Sequence, residues 1–248
     1  MKIHFLGTNG WYGTDLGNTI STLINTDKFY IILDAGDGIY KIDQYITDDK
    51  PIILLLSHVH LDHIIGLHII AKFLFKQKID IYGYKSTKKD IKRIINHPYS
   101  VPFDDLALNL QIHDLEEGEY NIGFPIKCKL LVHSDNTLGF RMELDNKIIT
   151  YCTDTGICSN LYELAENADL FITECSYKPG QEKWGWPHLK PEEAAEIAKK
   201  SNVKKLILTH FDASYYNTID HRKNAEIAAK VIFPETIIAT DDLELIVD

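Results

Sequence analysis

Seven consecutive residues, Ser-His-Val-His-Leu-Asp-His at positions 57–63, constrain this chain more than any other segment. They bring three imidazoles and one carboxylate together directly after the apolar run 51–56, which is typical of a fully buried strand. The segment 64–73 that follows predicts a helix packed on the sheet. Open α/β folds place their chemistry on such strand-to-helix loops. Because four potential ligands lie so close together, the segment predicts a metal site in preference to a polar loop that is merely rich in histidine.

Three further predicted strands end in a residue that can bind a metal. The runs 126–132, 147–153 and 205–209 are strand-like, and they lead to His133, Asp154 and His210. We expect these side chains to join the histidine-rich loop at one edge of the sheet. Five other histidines have no such context, and we expect them at the surface or in local hydrogen bonds: His4, His68, His97, His113 and His221.

This pattern carries a resemblance to a known family. His58-x-His60-x-Asp62-His63 with the three later ligands resembles the metallo-β-lactamase superfamily of dinuclear metal hydrolases. The match runs from the segments 5–8 and 33–38 to just beyond His210. It implies an α/β fold, the four-layer αββα metallo-β-lactamase sandwich, and we expect residues 1–248 to form a single domain of this type.

The resemblance also implies which residues bind each of two metal ions. The ligands that it implies for one ion are His58, His60 and His133, those for the other are Asp62, His63 and His210, and Asp154 bridges the two. Imidazoles and carboxylates without cysteine suit zinc, the favoured ion here, with manganese or iron as alternatives. Two such ions would share a water and lower its pKa from 15.7 towards about 7.

Asp34 ends the predicted strand 30–33 and precedes Gly36. Its carboxylate could accept the free N–H of a ligand histidine and fix its tautomer. An ordinary turn aspartate is the alternative, and the sequence leaves both open.

Composition narrows the class of protein. With 248 residues and 45% hydrophobic content, the chain can bury the core of one domain, and no apolar run approaches a membrane span. The absence of an N-terminal signal pattern and of CxxC spacing among the four cysteines predicts a reduced, cytoplasmic protein. A net charge of −10 argues against non-specific nucleic-acid binding, which relies on lysine and arginine.

Two residues in the second half predict the type of reaction. Glu174 ends the predicted buried strand 168–174, and His188 lies in the loop before a predicted helix that begins at Pro191. The pair resembles the ribonuclease Z branch and its small relatives that cleave phosphodiesters. The resemblance implies that the metal-bridging hydroxide attacks phosphorus, that His188 protonates the departing oxygen, and that Glu174 holds His188. Asp62 joins these two in the predicted catalytic group. The alternatives are a histidine that caps a loop and a surface carboxylate.

Two departures from that branch limit the substrate. The interval between His133 and Asp154 is filled by a predicted hairpin, so the long arm that grips tRNA has no place here, and Lys190 replaces the usual threonine or serine before the helix. Short-interval members resemble phosphodiesterases of small cyclic phosphates, including the cyclic ribose-phosphate enzyme of the phosphonate pathway. We therefore expect a small nucleotide or sugar phosphodiester, or an RNA end, as the substrate.

Other readings stay open. Hydrolysis of a carboxylic ester, thioester or lactone by the same metals would leave His188 dispensable, and a non-catalytic binding module would retain only a residual metal site. The aromatic residues expected near the mouth of the site could stack a base or pack loops, also across the interface of an expected homodimer: Trp11, Tyr12, Tyr177, Trp184, Trp186, Tyr215 and Tyr216.

Overall fold

The computed structural model describes residues 1–183 and 185–248, and Trp184 lies outside the described residues. The strands are β1 Lys2–Gly7, β2 Asn9–Gly10, β3 Ser21–Asn25, β4 Tyr30–Leu33, β5 Ile52–Leu55, β6 Ile79–Tyr84, β7 Leu110–Leu115, β8 Gly118–Asn121, β9 Pro125–Leu130, β10 Leu138–Leu144, β11 Lys147–Cys152, β12 Leu170–Glu174, β13 Leu206–Thr209, β14 Phe211–Asp212, β15 Thr236–Ile238 and β16 Glu244–Ile246. The α-helices are α1 Leu61–Ile64, α2 Thr87–Ile94, α3 Ser159–Ala165, α4 Pro191–Lys200 and α5 Ile219–Ile232. The 3₁₀ helices are Asp37–Gln44, Ile65–Lys72 and Phe103–Asp105.

These strands form two seven-stranded sheets. The order is β16-β1-β3-β4-β5-β6-β7 in the first sheet and β15-β13-β12-β11-β10-β9-β8 in the second, while β14 and β2 form a short parallel pair. Strands β4 to β7 are parallel to one another, as are β11, β12, β13 and β15. Because carboxyl ends of parallel strands share one edge, each sheet brings several loops to the same place.

The apolar alternation along the strands explains the layers. Ile31 and Leu33 of β4 pack against residues of the second sheet such as Tyr151, whereas Tyr30 and Ile32 of the same strand pack against outer helices. A third core lies between the second sheet and the helices α3, α4 and α5. The molecule is therefore helix–sheet–sheet–helix, and the predicted four-layer sandwich is confirmed.

Two local predictions need correction. The predicted helix 64–73 is one short α-turn followed by a 3₁₀ helix, Ile65–Lys72, and its composition explains this. Isoleucines and a glycine are poor α-helix formers, and a side chain at Gly66 would collide with the Ala35 and Gly36 carbonyl oxygens. Strand β9 ends at Leu130, two residues early, because Val132 instead forms an isolated bridge with Gly156.

The segment between His133 and Asp154 is the short hairpin that the sequence predicts. Strands β10 and β11 pair antiparallel around Asp145 and Asn146, which have φ values of 48° and 62°. Two successive positive φ values define a tight type I′ turn. No residues remain there for a long arm. Among the described residues, no helix has both the length and the apolar character needed to cross a bilayer.

Candidate metal centre and adjacent histidine–glutamate pair

The predicted site residues meet at the shared edge of the two sheets. Asp34 follows β4, the histidine-rich loop follows β5, and Asp154 and His210 follow β11 and β13. Asp34, Asp154 and His210 have positive φ values of 57°, 50° and 50°, an uncommon conformation for residues other than glycine. Such backbone strain clusters where the surrounding structure fixes a side chain for function.

The first group of donor atoms consists of three imidazoles. His58, His60 and His133 each offer one ring nitrogen, and these atoms all lie within 4.8 Å of one another. His60 Nδ1 and His133 Nε2 are 3.3 Å apart, and the buried Nε2 of His58 has no hydrogen-bond partner. Burial, reinforced by the neighbouring His63, holds the pKa of His58 well below its usual value, so its ring is neutral. An orphaned, buried lone pair among imidazoles fits a bound metal ion.

The second group combines two imidazoles with two carboxylates. His63 Nε2 lies 3.2 Å from His210 Nε2, 3.0 Å from Asp154 Oδ2 and 3.6 Å from Asp62 Oδ2. His210 Nε2 lies 3.1 Å from Asp154 Oδ2 and 3.4 Å from Asp62 Oδ2. Four ligands at zinc–nitrogen distances around a tetrahedral ion are separated by about 3.3–3.4 Å. The donor atoms of this group therefore already have the spacing that a tetrahedral metal ion requires.

The charges at this second group also call for a cation. Burial favours the neutral ring of His63, but attraction to Asp62, Asp34 and Asp154 outweighs it and holds the pKa of His63 well above its usual value. Burial disfavours the Asp154 carboxylate, yet His210 and His63 hold the pKa of Asp154 well below its usual value. The carboxylates are thus ionised and demand positive charge, which a metal ion would supply in place of protons.

Asp34 lies beneath both groups and is fully buried. Its Oδ2 accepts from His63 Nδ1 at 2.9 Å and from the Tyr151 hydroxyl at 2.7 Å, and its Oδ1 accepts from the Ser57 backbone N–H at 2.8 Å. The Ser57 hydroxyl lies 3.0 Å from His58 Nδ1 and bonds to Asp34 as well. Asp34 is therefore more than a turn aspartate. It orients the ring of His63 so that Nε2 faces the carboxylates.

Two residues of this hub, Ser57 and Tyr151, were missed by the sequence reasoning. Ser57 stands directly before the metal motif and Tyr151 lies on β11 among apolar residues. A tyrosine buried in a strand must find a partner for its hydroxyl, which is the one signal that could have identified it.

His188 and Glu174 form a hydrogen-bonded pair beside the donor groups. His188 Nδ1 lies 2.7 Å from Glu174 Oε1 and 3.8 Å from Asp154 Oδ1. Glu174 is fully buried and also accepts from the backbone N–H groups of Thr155 and Ser176 at 2.6 and 3.1 Å. The carboxylate fixes the proton of His188 on Nδ1, which leaves Nε2 as the ring nitrogen available to a ligand.

The electrostatics of the pair favour an imidazolium. Burial opposes the charged ring of His188, but the charge and hydrogen bond of Glu174, with Asp154, raise the pKa of His188 to about 9. Burial likewise opposes the Glu174 carboxylate, and attraction to His188 outweighs it and lowers the pKa of Glu174. The geometry thus provides a proton donor held by a fixed carboxylate.

A cavity of about 660 Å³ opens above these residues. Four of the seven aromatic residues that the sequence singled out line it, namely Trp11, Tyr177, Trp186 and Tyr215. Tyr216 is instead buried and its hydroxyl donates to the Tyr177 carbonyl oxygen at 2.6 Å. The five histidines without predicted roles do not line the cavity; His113, for example, bonds to Asp80 at 2.6 Å.

The first loop reaches this cavity through a contact that the sequence did not predict. The Trp11 backbone N–H donates to Asp62 Oδ2 at 2.8 Å. The loop is held from below by the buried guanidinium of Arg222 on α5, which donates to Thr8 Oγ1 at 2.9 Å and to Asn9 Oδ1. Arg222 lies far along the chain from both partners, so sequence periodicity carries no signal for this contact.

Comparison with known proteins agrees with this geometry. A model of the beta-lactamase superfamily domain matches residues 31–211. Ribonuclease Z of Sulfolobus acidocaldarius is 25% identical to the chain over 95% of its length and 97% of the relative's. The metallo-beta-lactamase fold protein YhfI from Bacillus subtilis superimposes with a TM-score of 0.79, at 21% identity and with 98% of both chains covered. A diphosphatase from the PhnP family superimposes with a TM-score of 0.74, at 16% identity, covering 100% of this chain and 98% of that one.

The family model spans most of the chain, including the loop 57–63, Asp154 and His210. The fold of the superimposed structures is the two-sheet sandwich described above. The suspected family and the expectation of an enzyme are both confirmed. The chain belongs to the metallo-β-lactamase superfamily, resembles its ribonuclease Z and PhnP members, and is a metal-dependent hydrolase.

Proposed function

We propose that this protein is a dinuclear phosphodiesterase that acts on a small phosphodiester. One divalent ion would be held by His58 Nε2, His60 Nδ1 and His133 Nε2, and the other by Asp62, His63 and His210. The carboxylate of Asp154 supports a bridging role, because its Oδ1 lies 3.9 Å from His133 Nε2 and its Oδ2 lies 3.0 Å from His63 Nε2. Zinc suits these imidazole and carboxylate ligands, as would manganese or iron.

When bound, two such ions lower the pKa of a water between them and neutralise charge on a phosphoryl group. The protein's own residues supply the rest. His188, protonated on both nitrogens, presents Nε2 to the cavity while Nδ1 stays bonded to Glu174. As water adds to phosphorus and the bond to the leaving oxygen breaks, the Nε2 proton passes to that oxygen, so the product leaves as an alcohol.

The observation that carries this proposal is the 2.7 Å contact between His188 and the fully buried Glu174, next to Asp154. A departing alkoxide needs a proton, whereas a thiolate or a carboxylic ester with a good leaving group needs none. A positioned acid is typically worth ~10²–10⁴ in rate. The names of the similar proteins, ribonuclease Z and a diphosphatase, support a phosphoryl substrate, and the cavity of about 660 Å³ supports a small one.

The test compares two leaving groups in His188→Ala. With a dinucleotide, whose leaving group is an alkoxide, we expect kcat to fall by ~10²–10⁴. With bis(p-nitrophenyl) phosphate, whose nitrophenolate departs without a proton, we expect a much smaller loss. His113→Ala is the matched control, because His113 bonds to Asp80 away from the cavity. Metal content is measured for each variant.

Equal turnover of the dinucleotide by His188→Ala and the wild type, at equal metal content, would remove the basis for a general acid. The alternative of a carboxylic ester, thioester or lactone hydrolase would then be preferred, since His188 is dispensable there. A thioester assayed in parallel separates the two outcomes.

A further inference from the structure

The wall of the cavity has an unusual charge for a site that binds phosphate. Among its described lining residues there is no lysine or arginine, and the ionisable side chains are four histidines and the carboxylates of Asp62, Asp154 and Asp212. The histidines His60, His133 and His210 face the proposed ions, and His188 faces the reacting phosphodiester. Any second phosphate on the substrate would therefore meet no fixed cationic side chain.

Asp212 adds a negative charge that the proposed metal site does not use. It ends β14, where it pairs with Gly10 of β2 in the floor of the cavity. Its Oδ1 accepts from the backbone N–H and the hydroxyl of Ser214, at 2.8 and 2.6 Å. These bonds fix the carboxylate in a turn beside the cavity, so its charge cannot swing away from a bound substrate.

The remaining wall is aromatic and poorly covered. The side chains of Trp11 and Trp186 are 68% and 60% exposed, and Tyr177 and Tyr215 lie in near-parallel planes with ring centroids 6.3 Å apart. Exposed indole rings at a cavity mouth offer flat apolar faces, and stacking a base on such a face is worth ~1–3 kcal/mol. This wall suits a flat ring system rather than a chain of phosphates.

We infer that the substrate carries one negative charge, that of the scissile phosphodiester, together with a flat ring that stacks on the aromatic wall, and that Asp212 rejects substrates with a second phosphate. This inference rests on the proposed phosphodiesterase function. It restricts that function to monoanionic nucleoside phosphodiesters and excludes RNA ends that carry further phosphates in the cavity.

The experiment uses two substrates that differ by one phosphate. These are the p-nitrophenyl ester of thymidine 5′-phosphate and the same ester with an additional 3′-phosphate. For the metal-loaded wild-type enzyme we expect kcat/KM for the doubly phosphorylated ester to be lower by about tenfold or more, since like charges repel across a cavity of low dielectric constant. The difference should lie mainly in KM and should shrink as ionic strength rises.

Asp212→Asn keeps an oxygen that can accept from Ser214 but removes the charge, so we expect the preference between the two esters to fall to about threefold or less. Asp49→Asn is the matched control. Asp49 is exposed and precedes β5, at the opposite end of that strand from the cavity, and its variant should keep the wild-type preference.

A wild-type enzyme that hydrolyses both esters equally, or prefers the doubly charged one, would overturn the inference and leave the phosphodiesterase intact. An unchanged preference in Asp212→Asn, or one insensitive to salt, would likewise overturn it. Hydrolysis of neither ester would overturn the proposed function itself.

Discussion

The Tyr151 hydroxyl offers a way to perturb the metal site without touching a metal-binding atom. It donates to Asp34 Oδ2 at 2.7 Å, and the same oxygen accepts from His63 Nδ1. All three side chains are fully buried, so water cannot replace a lost donor. Burial, together with the charge of Asp34, holds the pKa of Tyr151 well above its usual value, so the hydroxyl remains a donor at any ordinary pH. Tyr151→Phe removes this hydrogen bond and keeps the ring.

The expected loss follows from the partner's charge and burial. A hydrogen bond to a charged group contributes ~1.5–3 kcal/mol, so the metal-free variant should lose that much free energy of unfolding. Asp34 would still accept from Ser57 and His63, which keeps the loss within this range. Since Asp34 sets the orientation of the His63 ring, we also expect metal affinity to fall by ~10–100-fold.

Urea unfolding of chelator-treated protein, followed by circular dichroism, measures the first quantity, and calorimetric titration with zinc measures the second. Tyr99→Phe is the control, because its side chain is 79% exposed and lies outside the site. If Tyr151→Phe unfolds within ~0.5 kcal/mol of the wild type, as a typical surface variant does, and binds zinc equally well, the hub around Asp34 does not position the ligands.

Three further outcomes are expected. Glu174→Gln removes the charge that raises the pKa of His188 to about 9; because the acid must be protonated, activity is lost as pH rises through that pKa, and the alkaline limb of the kcat/KM profile for a dinucleotide should move to lower pH. An unmoved limb would contradict this. Removing metal with a chelator should lower the unfolding midpoint, and zinc at ~100 times its Kd should restore ~2.7 kcal/mol per site; identical melting curves would argue against resident ions. Arg222→Met leaves Asn9 Oδ1 without its donor and should cost ~1–3 kcal/mol in urea unfolding, a result that an unchanged midpoint would refute.

The sequence predicted the sandwich and the meeting of the site residues because both depend on local patterns. Each buried apolar run ended next to a polar residue, and parallel strands put such endings at one edge. His133, Asp154 and His210 were therefore placed correctly at the site, even though β9 ends earlier than predicted. The single domain, the homodimer, the cytoplasmic location and the individual metal-binding and catalytic roles stay predictions.

What the sequence did not predict depends on contacts between distant segments. The bond from Tyr151 to Asp34 and the bonds from Arg222 to Thr8 and Asn9 join residues that no periodic pattern relates. The 3₁₀ geometry of Ile65–Lys72 depends on the close approach of Gly66 to the loop after β4, which is again a tertiary effect. In both cases the packing of the sheets, rather than local propensity, decides the outcome.

Each group of donor atoms draws on both sheets. His58 and His60 follow a strand of the first sheet while His133 follows one of the second, and His63 is likewise completed by His210 near the end of the chain. A ribosome delivers the segment after β13 last, so a growing chain would own only half of each coordination set for most of its synthesis. Tight loading with metal would then report that translation has passed residue 210 and that the two halves have docked, which protects the cell's metal pool from capture by unfinished chains.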